Sequence, residues 1–441
     1  MTPFCRRPPL LAVLALALSA TLAPLAPAWA QPGLPATSLE ALAASLYGQV
    51  AALRGMPNPG PPPPVVIRSR EESRRFIEEE LDRRYAPLRL EAERKALVAW
   101  GLIPADYDLR RLFLDLMEEQ VSAYYDPRAK VMVLGDWLAP AQQQVALLHE
   151  LVHALQDREI SLDRFLAPVP GQGDRLLALQ ALVEGEAVGV MLDLVLRAQG
   201  SDFASLPDMS AVRGLIAAGS RGPVIQSAPA FLRDLLLFAY VEGLEFIHRF
   251  RKQHPWQAIG RLYRDPPRST AQILHPEKRL TRREDPVPVQ LPDLTALLPD
   301  ARLVTEDELG EFGLGAVLGL HVGPQEGSRA AAGWRGDRYR VWEDGSGRFL
   351  VAWVVAMESK GAAEALRAAL ARVVEGRHPA LAGRAARGGG SLVSWREGAR
   401  AFVAERRGTR TILLEHIPRP AADRVREAIW RASGGAGTQR P

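Results

Sequence analysis

The chain has 441 residues, 47% hydrophobic and 24% charged, a globular composition long enough for two or three domains with ample core. A formal net charge of +4, made of 50 arginines and five lysines with no basic block beyond Arg282-Arg283 and Arg406-Arg407, argues against a nucleic-acid surface. Cys5 is the only cysteine, so an intrachain disulfide is excluded and any metal must be held by histidines and carboxylates.

Residues 1–30 read as a signal peptide. Arg6 and Arg7 precede an apolar run from Leu10 to Leu25, and Ala28-Trp29-Ala30 supplies a small-x-small cleavage site. The expected location is outside the cytoplasm: periplasm, cell envelope or extracellular space. A retained membrane anchor is the alternative, because the run is nearly long enough to span. The prolines crowding its end favour cleavage. Cys5 lies ahead of the run and is not placed for lipid attachment. Residues 31–64 hold a short apolar-patterned helix, Leu39 to Leu53, and an extended spacer from Met56 to Pro64 that is rich in proline. This segment reads as a tether or a pro-segment, and any membrane or envelope association is expected through it.

From Glu71 to Gln120 apolar residues recur at helical spacing, with Gly101 and Pro104 as breaks. Asp126-Pro127 then marks a turn, and the β-branched stretch after it predicts a strand ending near Leu134. The resulting hairpin could offer an edge for an extended peptide to pair with. A sheet edge without substrate contact is the plainer alternative.

The next helix starts at Pro140, a favourable first-turn residue, and is expected to end near Asp157. It contains Leu147-Leu148-His149-Glu150-Leu151-Val152-His153-Ala154-Leu155-Gln156-Asp157, an HExxH pattern. Histidines four apart lie one turn apart on one face, so both imidazoles can reach a single metal ion. Glu150 can sit beside the ion without ligating it and take a proton from the attacking water. The surrounding leucines and valine predict burial, where unpaired polar groups are costly. After a loop with Pro168, Pro170, Gly171 and Gly173, Asp174 is expected to cap a helix running to Gly200. That helix carries Ala181-Leu182-Val183-Glu184-Gly185-Glu186-Ala187-Val188-Gly189.

Two histidines leave a catalytic zinc one protein ligand short. A third histidine ten residues after the first is excluded, since Glu159 occupies that position. Glu184 is the preferred third ligand, and Gly185 beside it would let its helix approach the HExxH helix closely. Glu184 and Glu186 point to nearly opposite sides of a helix, so only one can ligate. Glu186 could instead orient a ligand histidine from behind or pair with an arginine. Glu242 competes because Tyr240-Val241-Glu242-Gly243 echoes Val183-Glu184-Gly185.

An HELxHALQD helix followed by an LVEGEA helix resembles bacterial secreted zinc metallopeptidases of the gluzincin-like, peptidase MA-like kind. Gly101-Leu-Ile-Pro104, Tyr125-Asp-Pro127 and the stretch from Pro266 to Lys278 are similar to the same group, so the resemblance covers roughly residues 65–285. It implies a zinc-dependent endopeptidase with His149, His153 and Glu184 as ligands and Glu150 as base. Many such families carry an acid four residues after the third ligand, whereas Val188 stands there in this chain.

Phe231 to Phe250 reads as another apolar helix, carrying Tyr240. A turn-rich stretch from Ser269 to His275 follows. Hydrolysis at a metal needs a donor for the developing oxyanion, and His275 and Tyr240 are the candidates; the bland alternatives are a loop-capping histidine and a core tyrosine. Tyr124 and Tyr125 are weaker ones. His248, His254, His321, His378 and His416 carry no pattern. Residues 286–300 read as a proline-rich linker. Beyond them, strands are predicted at Tyr339–Glu343, Phe349–Met357, Leu392–Trp395, Ala401–Glu405 and Thr409–His416, and helices at Ala362–Val374 and Ala421–Ala432. Asp344-Gly345-Ser346-Gly347 is a hairpin turn.

The expected architecture is α+β: a mainly helical zincin-like catalytic domain over residues 65–285 with a small edge sheet, then a smaller α+β domain over 301–435 with helices on one sheet face. The expected function is that of a secreted metalloendopeptidase using Zn2+ and a polypeptide substrate, with no nucleic-acid partner. The alternative is a non-catalytic, metal-stabilised envelope binder or chaperone-like protein.

Overall fold

The computed structural model describes residues 36–84, 87–120, 123–219, 222–388 and 391–434. The signal peptide expected over residues 1–30 lies outside them. Among the described residues no helix is long and apolar enough to cross a membrane.

The fold is α+β, and two sheets form among the described residues. The first is small. Strand β1 (Val65–Arg68) runs parallel to β3 (Val131–Gly135), which pairs antiparallel with β2 (Ala123–Asp126). The β2–β3 turn forms because Asp126 accepts the amides of Arg128 and Ala129 at 2.8 and 3.0 Å, an Asx turn. Lys130 completes the turn with a φ of 56°, and its ammonium pairs with Asp157. The order β1-β3-β2 leaves β2 at an edge.

Helices surround this sheet. They include α1 (Ala36–Arg54), α2 (Arg70–Arg84), α3 (Pro87–Ala99), α4 (Leu109–Gln120), α5 (Pro140–Ile160), α6 (Leu162–Phe165), α7 (Gly173–Ala198), α8 (Ser210–Gly219), α9 (Pro223–Ser227) and α10 (Ala230–Arg251). The short helices α11 (Gly260–Arg264), α12 (Thr270–Leu274) and α13 (Glu277–Leu280) follow. Helix α1 is not a free tether. Leu39, Leu46, Tyr47, Val50 and Ala51 are buried in the same core as α5 and α7, each large apolar side chain contributing about 1.5–3 kcal/mol.

Helix α5 is buried continuously from Gln144 to Asp157. It starts at Pro140, where Gln142 accepts the Ala139 amide at 3.1 Å. It runs past Asp157, and Asp157 helps end it by accepting the Leu162 amide at 2.8 Å. Ser161 is left-handed at the C-cap, with a φ of 54°. Helix α7 packs most extensively against α10. The reason is a pair of glycines: a Cβ on Gly185 would stand 2.2 Å from the Gly243 carbonyl, and one on Gly243 would stand 2.1 Å from the Ala181 oxygen. This corrects one expectation, since Gly185 opens α7 to α10 and not to α5. It also accounts for the echo between Val183-Glu184-Gly185 and Val241-Glu242-Gly243, which is a packing match. Asp174 does not cap α7 either. It sits inside the first turn, and its carboxylate accepts the Thr270 amide and hydroxyl.

The second sheet is antiparallel and seven-stranded, in the order β4-β5-β6-β10-β9-β8-β7. Its strands are β4 (Ala301–Asp307), β5 (Trp334–Asp344), β6 (Phe349–Met357), β7 (Ala386–Gly388), β8 (Leu392–Glu397), β9 (Arg400–Arg407) and β10 (Arg410–Pro418). The expected strands are present, and the Asp344 turn joins β5 to β6 with Phe349 opposite Glu343. Both faces are covered, not one. Helices α14 (Gly310–Val322), α15 (Pro324–Ala331) and α16 (Lys360–Arg377) share a core with one face. Helix α17 (Arg419–Gly434) packs on the other, together with Val289, Leu291, Leu294 and Leu298. Residues 286–300 are therefore no free linker: Val289, Leu291, Leu294 and Leu298 are buried on the sheet, while Val287 is exposed, and proline supplies an extended backbone that needs no ladder bonds. Trp100, after α3, packs edge-on against Tyr339 and Trp353, so the apolar core runs from the helical region into the sheet.

Candidate metal centre

Helices α5 and α7 bring three donor atoms together. Nε2 of His149 and Nε2 of His153 are 3.0 Å apart. Oε2 of Glu184 is 3.3 Å from the first and 3.5 Å from the second. All three residues are buried, and His149, His153 and Glu184 form a group of metal-ligating type with every donor atom within 4.8 Å of the others. A tetrahedral ion with ligands at about 2.0–2.1 Å needs donor atoms roughly 3.3–3.4 Å apart, so this triangle fits one. The hydrogen-bonding pattern fits too. Among the described residues the buried Glu184 Oε2 has no polar neighbour of its own beyond the two imidazole Nε2 atoms, so its charge is directed at the centre of the triangle.

The charges agree with that arrangement. Burial opposes ionisation of Glu184, yet His153 and His149 pull its carboxyl down to about 2. Burial likewise opposes protonation of His153, but Glu184 holds the imidazole up at about 9. In the ion-free cluster the proton on His153 balances the Glu184 carboxylate, and a bound cation would take that proton's place between the carboxylate and the two imidazole Nε2 atoms.

Glu150 is buried beside the cluster and its Oε2 accepts the Tyr125 amide of β2 at 2.8 Å. Burial raises its pKa above the ordinary carboxylate range, opposed by His153 and His149. A carboxyl poised higher than usual suits proton transfer near neutral pH. Its neighbour Tyr125 is tied down at the other end, donating its hydroxyl to Asp157 Oδ2 at 2.9 Å. The edge strand is therefore fixed to α5 at two points, and one of its outward amides is taken by Glu150.

Behind His153 lies a buried relay that the sequence reading captured only in part. His153 Nδ1 meets Gln156 Oε1 at 2.7 Å. Gln156 Nε2 donates to Glu186 Oε2 at 2.8 Å and to the Val183 carbonyl at 3.0 Å. Glu186 in turn accepts the Tyr263 hydroxyl and pairs with Arg54 Nε at 2.6 Å. Glu186 thus pairs with an arginine, as one of the two expectations held, and reaches His153 only through Gln156. Gln156 and Arg54 were not anticipated. Gln156 is visible in hindsight as a glutamine three residues after His153, on the same side of α5. Arg54 carries no local signal, because it approaches from a helix about a hundred residues upstream.

The remaining candidates separate. The Tyr240 ring is buried and lies 6.3 Å from the His149 ring, tilted by 26°. Glu242 faces away and pairs with Arg213 at 2.6 Å. His275 does not join the cluster. Its Nε2 is 2.6 Å from Glu311 on α14, and that hydrogen bond raises its pKa. The oxyanion-donor expectation for His275 is corrected accordingly: a carboxylate in the C-terminal region holds the ring. Tyr124 accepts from Arg68 at 2.7 Å.

Two stretches of the chain match family descriptions. Residues 300–426, from β4 into α17, match a domain of unknown function (DUF8575). Residues 105–173 match the peptidase M78 family, described as the IrrE N-terminal-like domain. This second stretch includes His149, Glu150 and His153 and stops before Glu184. No curated protein and no solved structure matches the chain. The segment around the α5 histidines is thus similar to a zinc metallopeptidase-like fold, and it contributes two histidines to a His–His–Glu cluster that could hold a metal ion.

Proposed function

We propose that the protein is an exported, zinc-dependent metallopeptidase that hydrolyses polypeptide substrates. The observation that carries this reading is the triangle of His149, His153 and Glu184 donor atoms with Glu150 beside it. His149, His153 and Glu184 would hold the ion, in the gluzincin-like manner with the carboxylate supplied by the α7 helix. A bound zinc would act as a Lewis acid, making water nucleophilic at neutral pH and polarising the scissile carbonyl.

The chain's own residues supply the rest. Glu150 takes the proton from the attacking water at its carboxylate and delivers it to the departing amine nitrogen. The Tyr125 amide orients Glu150, and strand β2 offers an edge along which an extended substrate can lie. Tyr240, next to His149, is the candidate donor to the oxyanion. Gln156 fixes the His153 ring so that Nε2 faces Glu184. Export rests on Arg6-Arg7 and the apolar run after them, and the N-terminal segment is the proposed route of any envelope association.

The test uses the purified protein, wild type beside Glu150→Gln. Wild type should contain one zinc per chain and cleave an unfolded protein such as casein, with activity lost to a chelator. Glu150→Gln should keep its zinc and lose cleavage by at least a hundredfold. Equal cleavage by the two proteins would refute the role of Glu150, and a wild type without bound metal would refute the centre.

A further inference from the structure

Helix α7 divides its buried faces between two neighbours. Ala181 and Gly185 lie against α10 at Gly243. Glu184 faces the α5 histidines. Gln180 is four residues before Glu184, so it stands on that second face, one turn nearer the start of α7. It is 1% exposed. Among the described residues neither its Nε2 nor its Oε1 has a hydrogen-bond partner.

Two other buried glutamines are bonded differently. Gln156, fully buried nearby, bonds through both ends of its carboxamide. Gln272, buried on α12, accepts the Arg268 amide and donates to the Glu284 carbonyl. Around Gln180 the α7 sequence is Leu176, Leu177, Leu179, Leu182 and Val183, all buried. A leucine at 180 would fill similar space without forfeiting the hydration that an unpaired amide gives up. A buried polar group that weakens the fold is expected where function needs it.

A carboxamide offers a donor and an acceptor side by side. Its complement is a peptide unit, whose carbonyl accepts from Nε2 while its amide donates to Oε1. We propose that Gln180 binds the backbone of the polypeptide substrate beside the scissile bond and sets its register over the His149–His153–Glu184 cluster. The assignment deepens the peptidase reading and rests on it.

The test compares wild type with Gln180→Leu and, as a second unbranched isostere, Gln180→Met. Three readings are taken: zinc content, Tm, and steady-state cleavage of labelled casein. Zinc content should not change. Tm should stay equal or rise, because an unpaired amide is replaced by a hydrocarbon. KM should rise roughly tenfold to a hundredfold, for the loss of two hydrogen bonds to the substrate. Casein binding, followed by anisotropy with Glu150→Gln protein, should weaken by a similar factor when Gln180→Leu is added. Unchanged KM in both variants overturns the assignment. So does a drop in Tm in both, which would make the carboxamide a structural bond. The peptidase reading fails separately, through zinc-loaded wild type that neither cleaves nor binds casein, and that result removes the Gln180 assignment with it.

Discussion

Gln156 Oε1 lies 2.7 Å from His153 Nδ1, and the other end of the same carboxamide is 2.8 Å from Glu186. The pairing makes His153 donate from Nδ1, which leaves Nε2, 3.5 Å from Glu184 Oε2, as the nitrogen that would ligate an ion. Gln156→Leu keeps the bulk and deletes the orienting bond. It should weaken metal affinity about 10–100-fold, measured by competition with a chromogenic chelator. Gln156→Glu should behave differently, because it sets a second carboxylate against Glu186. Unaltered affinity in Gln156→Leu would show that packing alone holds the ring.

Gly185 is required by contact, not by backbone conformation. An added Cβ would meet the Gly243 carbonyl carbon and oxygen at 2.2 Å, and these are backbone atoms of α10 that cannot swing aside. Gly185→Ala should therefore push α7 from α10, cost about 3 kcal/mol of stability, and displace the adjoining Glu184. The checks are chemical denaturation and zinc content. A variant with wild-type values for both would mean that α10 yields at no cost.

The HExxH helix was legible because its information is local: spacing of four, apolar flanks and a proline start. Strand β6 was legible for the same reason, as an uninterrupted apolar run of nine residues. What escaped were relationships set by distant chain segments. Residues 286–300 looked like a linker because proline is abundant, yet Leu291, Leu294 and Leu298 recur at spacings that put them on the sheet. His275 looked catalytic because histidine after a turn is a plausible donor, but its partner Glu311 lies 36 residues on. Helix α14, with glycines at 310, 313, 315 and 319, was missed because glycine lowers helix propensity. It forms because α15 packs so closely that a Cβ on Gly327 would meet Gly319 at 2.5 Å.

A pH dependence follows from the joint between α7 and the C-terminal sheet. Asp174 meets Thr270 there, and Asp307 accepts the Gly173 amide at 2.9 Å. Burial raises Asp174 to about 8 and Asp307 to about 6, with Asp337 adding repulsion to both and Glu311 to Asp174; Arg338 eases Asp307 in part. Each folded value lies above the unfolded one. The folded chain therefore keeps protons that the unfolded chain has released, and stability is greatest below about pH 4 for these groups and declines as pH rises toward 8. Tm should fall by several degrees between pH 5 and pH 8.5. Asp174→Asn, which stays neutral, should flatten that slope. A slope unchanged by the substitution would place its origin elsewhere.

Arg54 decides whether the N-terminal helix belongs to the helical body around the metal-ligating cluster. Its guanidinium is buried between Glu186 at 2.6 Å and Glu159 at 2.8 Å. Glu186 is wholly buried, so removing its partner leaves an uncompensated charge behind His153. Arg54→Met should cost about 3–5 kcal/mol and lower metal affinity through the relay to Gln156. Glu186→Gln in the same chain should restore part of the stability, since the stranded charge is gone, while metal affinity stays reduced. If α1 were a detachable pro-segment, Arg54→Met would leave stability and zinc content at wild-type values, and removing residues 31–64 by limited proteolysis would leave the centre intact. Urea denaturation of the single and double variants separates the two cases, with recovery in the double variant the outcome expected from a buried ion pair.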